Sequence, residues 1–274
     1  MAERGTTVTR NNFDFCNRLH EFYNVVFSKS SRAKHWTIKP TLKTLLRRRF
    51  DPIQQHDSHE FMVYLLEQLQ DEETMKSRPQ FDGSDHRKSI AQVCDEFQHS
   101  YNTIIDRTFS GIMQTIVKCG KCKHESVTRN PFMTQSLQHK QTLIKCLQDY
   151  YTENSLDDYY TCESCHKKTK AKVRHMLVRL PKVLVFHIKR FDSSFRKIEK
   201  GTAYQSVLDM SPFCLPDVDE HLRGSTQYNL FGLTVHHGTL SGGHYVAYAK
   251  REDGRWYNFN DEYFRNVSDN DALK

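Results

Sequence analysis

Two C-x-x-C pairs, Cys119/Cys122 and Cys162/Cys165, constrain this chain more than any other feature of its sequence. Each pair sits where strand-like sequence ends in a turn, and Gly120 inside the first pair lets the backbone bend so that both thiolates face one point. Four thiolates around Zn²⁺ make a closed tetrahedral structural centre with no position left for catalysis. Thirty-nine residues lie between the pairs, so a metal shared by both requires the intervening chain to loop out and return. A redox dithiol and a set of unrelated thiols are the competing readings. Two such pairs in a β context weigh against both.

Composition sets the frame for that site. The chain has 274 residues, of which 37% are hydrophobic and 12% aromatic, enough for a substantial core in one or two domains. No run of 18 apolar residues occurs, and the opening MAERGTTVTRNN lacks the apolar stretch of a signal peptide. The expectation is an intracellular protein of the cytoplasm or nucleus, not a membrane protein, in which the eight cysteines act as thiols or ligands. The formal charge of +7 is dispersed over short runs such as residues 47–49, 167–172 and 196–200, which read as solvated faces.

The order of patterns predicts an α+β chain. Helices are expected over 14–27, 41–49, 57–69, 91–105 and 142–151. Strands are expected over 112–117, 126–137, 173–180, 183–188 and 228–236, with 183–188 apolar enough to be buried on both faces. Asp57 reads as a helix N-cap, with Glu60 closing a capping box. The four cysteines outside the pairs, Cys16, Cys94, Cys146 and Cys214, read as packed thiols.

Residues 235–264, VHHGTLSGGHYVAYAKREDGRWYNFNDEYF, hold the chemistry. His244 follows a Gly-Gly turn and opens an alternating strand, and Asp253-Gly254 signals a hairpin. The return strand ends on Asn260 and Asp261. A histidine at the start of one strand and a side-chain carbonyl at the end of its partner can lie side by side, as a general base lies beside the group that orients it.

These segments together resemble the ubiquitin-specific proteases, the papain-like deubiquitinases. Gln55-His-Asp57-Ser-His-Glu60-Phe61 is similar to that family's Q-x-D-[AS]-x-E-F box, and VLVFHIKRF (183–191) to its strand ending in K-R-F. The stretch from His236 through Gly242-Gly243-His244-Tyr245 to Asp261 is similar to its histidine box, and the paired knuckles to its zinc-bearing fingers. The resemblance implies a papain-like cysteine protease fold with a helical thumb (about 1–105), zinc-ribbon β fingers (about 106–180) and an antiparallel β palm (about 181–274). It implies His244 as general base, and Asn260 as its orienting partner with Asp261 adjacent. It also implies Gln55, Asp57, Glu60, His236, Gly242 and Gly243 around the C-terminal tail of ubiquitin, with structural zinc on Cys119, Cys122, Cys162 and Cys165. Ubiquitin or ubiquitinated proteins are then the expected partners.

Two parts of the family pattern are missing. No G-N-T-C string that would carry the nucleophile occurs; the upstream candidate, Cys16, has Asp14 where the family's oxyanion Asn stands and reads as a packed thiol. The family's last palm strand, A-Y-x-L-F-Y, is also absent after residue 267. The expectation is a domain truncated at both ends that does not turn over by itself. A catalytically dead ubiquitin-binding scaffold is the alternative, and a zinc-ribbon nucleic-acid binder the more remote one.

Overall fold

The computed structural model describes residues 54–74 and 79–273, together with Leu19, Arg49 and Phe50. Cys16 and nearly all of the helices expected over 14–27 and 41–49 lie outside the described residues. The chain divides into two compact units, Met1–Ser77 and Arg78–Lys274.

In the first unit, helix α1 spans Ser58–Glu73. Asp57 caps it as expected, its carboxylate accepting the Glu60 N–H at 2.9 Å. Glu60 does not complete the capping box. Its carboxylate pairs instead with Arg49 at 3.3 Å. Tyr64 and Leu66 are buried on α1, and Phe50 meets Phe61 and Tyr64 edge-on with ring centroids 5.7 and 5.3 Å apart.

The second unit opens with two helices where the sequence pattern predicted one, α2 (Ile90–Ser100) and α3 (Ile104–Phe109). The break has a local cause: Thr103 donates to Asp106 Oδ2 through both its N–H (3.0 Å) and its hydroxyl (2.6 Å), and so starts a new capped helix. Strands β1 (Gly111–Cys119) and β2 (Glu125–Phe132) form a hairpin across the first cysteine knuckle. After β3 (Thr134–Gln138) come α4 (Leu143–Tyr151), capped by Thr142, and three two-residue strands, β4 (Asn154–Ser155), β5 (Tyr160–Thr161) and β6 (Lys168–Thr169). Strand β7 (Ala171–Arg179) returns alongside β1, giving the sheet order β2-β1-β7-β4.

Strand β8 (Val185–Lys189) pairs in parallel with β3, an exception to the expected antiparallel arrangement. It is half-buried, not enclosed on both faces: Phe186 and Ile188 pack on the main core while staying partly exposed. Strand β9 (Val207–Asp209), the short helix α5 (Glu220–Arg223) and β10 (Gln227–Asn229) lead into the last sheet. That sheet is an antiparallel meander in the order β11 (Gly232–Thr239), β12 (Gly242–Lys250), β13 (Trp256–Asn260) and β14 (Tyr263–Val267), followed by α6 (Asp269–Ala272). The main core packs α4 (Leu143, Cys146, Leu147, Tyr151) against Leu137 of β3, Leu177 of β7 and Leu208 of β9, all buried.

Candidate active site and metal centre

The β12–β13 hairpin turns where Asp253-Gly254 predicted it. Gly254 adopts φ 78°, and its N–H donates to the Arg251 carbonyl at 2.9 Å. The ladder runs from Lys250↔Trp256 to Ala247↔Phe259. One further step sets Asn260 beside Val246, on the face that also carries His244, so the two side chains meet diagonally. His244 Nε2 lies 2.7 Å from Asn260 Oδ1. An amide oxygen can only accept, so Nε2 carries the proton and Nδ1 presents its lone pair. Asp261 leaves the strand in a two-residue turn at φ 51°, its carboxylate 3.9 Å from His244 Nε2. Asn260, not Asp261, makes the short bond to the ring. Both His244 and Asn260 are exposed.

On the other side of β12, His237 stands opposite His244 and Gly238 opposite Gly243. A Cβ on Gly243 would collide with the His236 ring and the His237 carbonyl, so this glycine is required by the β11–β12 contact itself. His236 packs on Tyr245 with centroids 4.7 Å apart. Sequence reasoning missed Lys197, whose ammonium donates to the carbonyls of His236 (2.7 Å) and Gly238 (3.0 Å) along the free edge of β11. It lies within the basic run 196–200, where charge alone gave no hint of a backbone-binding role. Gln55, Asp57 and Glu60 all sit at the start of α1, in the first unit.

The four cysteines of the two pairs converge, their Sγ atoms all within 4.8 Å of one another. The Cys119–Cys165 and Cys122–Cys162 sulfurs are 4.0 and 3.6 Å apart. Tetrahedral metal–sulfur bonds of about 2.3 Å require an S···S edge of about 3.8 Å, so the cluster fits a metal ion and is too wide for disulfides. The amides of Cys122 and Lys121 point at Cys119 Sγ from 3.5 and 3.4 Å, favouring its thiolate and bringing that thiol down to about 6. His124, just past the first knuckle, bonds Glu163 inside the second at 3.0 Å, joining the two turns. The remaining described cysteines, Cys94, Cys146 and Cys214, are buried, and burial pushes each thiol up, Cys214 to about 11. A nucleophilic cysteine needs the opposite shift and an open approach.

A family model described as ubiquitin carboxyl-terminal hydrolase matches residues 2–274. The chain belongs to that family. Among its relatives, ubiquitin carboxyl-terminal hydrolase 3 of Homo sapiens is 32% identical over 256 residues, covering 82% of this chain and 46% of its own. Ubiquitin carboxyl-terminal hydrolase 23 of Arabidopsis thaliana is 30% identical, covering 82% of this chain and 25% of its own. The chain thus spans less than half the length of these relatives. The SAGA Ubp8/Sgf11/Sus1/Sgf73 DUB module bound to ubiquitin aldehyde shares the fold, with a TM-score of 0.74 and 24% identity over 98% of this chain and 58% of that one. The ubiquitin hydrolase fold expected from the sequence is therefore the fold of this chain. Among the described residues no helix is long and apolar enough to cross a membrane.

Proposed function

We propose that this chain belongs to a cysteine-type deubiquitinase, an enzyme class that acts on the bond at the C-terminus of ubiquitin in ubiquitinated proteins, and that by itself it binds ubiquitin without cleaving it. The observation that carries the reading is the 2.7 Å bond from His244 Nε2 to Asn260 Oδ1, which leaves Nδ1 as the base toward a thiol. In this reading His244 draws the proton, Asn260 holds the ring, and Asp261 adds a weak field from 3.9 Å. Gln55, Asp57 and Glu60, with His236, Gly242 and Gly243, receive the extended tail of ubiquitin. The acidic groups meet its basic residues through charge-assisted bonds.

The cysteine cluster holds structural Zn²⁺, since four thiolates form a closed soft-donor set with no open coordination site. Thumb, fingers and palm correspond to about 1–105, 106–180 and 181–274. Free thiolate ligands are the rule in reducing compartments, which supports an intracellular protein. The described cysteines outside the cluster are buried with raised thiols, and the sequence has no G-N-T-C string, so this chain binds ubiquitin without turning it over. Ubiquitin carrying a C-terminal electrophile tests this. Saturable binding without covalent capture is expected, and a covalent adduct at Cys16 would overturn the inactivity. No binding at all would remove the ubiquitin assignment.

A further inference from the structure

A cavity in the second unit is used by none of the residues assigned above. It has a volume of about 540 Å³ and lies between the end of α2, α3, the end of β7 and the segment from α5 into β10. Its walls are fixed. The Phe97 and Tyr101 rings stack 4.8 Å apart, and the Tyr228 hydroxyl donates to the Pro181 carbonyl at 2.5 Å.

The charge around it is one-sided. Arg107, Arg179 and Lys182 line the cavity, against the single carboxylate of Asp106. That carboxylate is already engaged by the N–H and hydroxyl of Thr103. Arg179 is held by the neutral carbonyl of Leu222 at 3.1 Å, so its position is set while its charge stays available.

At the floor lies Ser110, 4% exposed. Its N–H closes α3 by donating to the Asp106 carbonyl at 2.9 Å, yet its hydroxyl is buried and finds no protein partner. Arg223, next to the lining residue Gly224, likewise keeps Nε buried and unpaired. Buried polar groups of folded proteins are otherwise nearly all satisfied, and such exceptions are commonly met by ordered water, an ion or a ligand.

We propose that this cavity binds an oxyanion of the phosphate class, the Ser110 hydroxyl donating from the floor and the Arg107, Arg179 and Lys182 cations surrounding it. Guanidinium groups match phosphate oxygens in pairs, and a hydroxyl donates into the same anion. The volume exceeds that of the anion alone and leaves room for an ester body between the aromatic wall and Gln227. The shared chemistry is a phosphate ester, either a free small molecule or a phosphorylated side chain of another protein. The site is independent of any ubiquitin chemistry.

The full chain, isotope-labelled, is titrated at constant ionic strength with inorganic phosphate, phenyl phosphate and a phosphoserine peptide while amide resonances are followed. Saturable shifts at Ser110, Leu180 and Gly224 are expected. Ser110→Ala and Arg107→Gln should each weaken binding about tenfold. Ser110→Ala removes an unpaired hydroxyl, so its melting temperature without phosphate should equal or exceed the parent's, which separates lost binding from lost folding. Tighter binding of phenyl phosphate assigns a small molecule, and tighter binding of the peptide a modified protein. Shifts that stay linear, or that saturate identically in both variants or with acetate, overturn the site.

Discussion

In the proposed site Asn260 offers His244 a neutral oxygen where many base–orienter pairs use a carboxylate, and the Asp261 carboxylate stands 3.9 Å from the ring. An amide fixes which nitrogen is protonated with less pull on the imidazolium, so the expected consequence of its loss is a change of tautomer, not of fold. In Asn260→Ala the ring nitrogen shifts of His244 should move from a pure Nε2–H form to a mixture. Thermal stability should change by less than about 1 kcal/mol, because both residues are exposed. An unchanged tautomer would remove Asn260 from the orienting role. A second histidine supplies a pH signal. His175 stacks on Tyr150 with centroids 4.9 Å apart, its Nδ1 lies 3.1 Å from Thr115 Oγ1, and burial holds its imidazole below the ordinary value. The unfolded chain therefore takes up this proton first as pH falls. Its contribution to stability is complete above about pH 6.5 and is lost as pH drops from there toward the folded value. Chemical denaturation of the parent between about pH 8 and pH 5 should show a steeper loss than in His175→Phe, which keeps a stacking ring but cannot titrate. Equal slopes would exclude the assignment.

Among the elements, the ones legible in the sequence were those whose ends are written in local chemistry. Thr142 marked the start of α4, Asp57 that of α1, Asp253-Gly254 the hairpin beside His244, and the first cysteine knuckle the end of β1. Hydrophobic pattern alone gave positions but not partners. Residues 126–137 read as one strand yet split into β2 and β3, which join different sheets, and 228–236 split the same way into β10 and β11. Nothing local distinguishes a strand from two strands that diverge over one or two residues, since the choice rests on distant partners. Lys197 escaped for the same reason, because the carbonyls it binds are some 40 residues away in sequence. The knuckle elements carry their own prediction. Strands β5 and β6 are two residues each, too short to persist without a cross-link. The protein should bind about one Zn²⁺ per chain, and Cys162→Ser or a chelator should remove it. Hydrogen exchange should then quicken across 119–125 and 160–169 while the central β1–β7 ladder stays protected. Retained protection at 160–169 in the metal-free protein would mean the metal does not hold this ribbon.

For the molecule as a whole, the sheet that carries His244 and the sheet that leads to the cysteines are separate, and each short strand pair forms a sheet of its own. What gives the second unit continuity is side-chain packing around α4, since one buried cluster draws on β3, β7 and β9 and so spans three sheets that share no ladder. Leu147 is fully buried in that cluster. Leu147→Ala opens a cavity where the sheets cannot close together without breaking their own hydrogen bonds, so the loss should fall in the range of about 2–5 kcal/mol. For a unit of this size that lowers the melting temperature by roughly 5–15 °C. The spatial signature matters more than the size. Exchange should accelerate together in β3, β7 and β9, three strands distant in sequence and joined through one side chain. A loss confined to α4 would mean that the helix decorates the sheets, and that the unit is held by contacts other than this core.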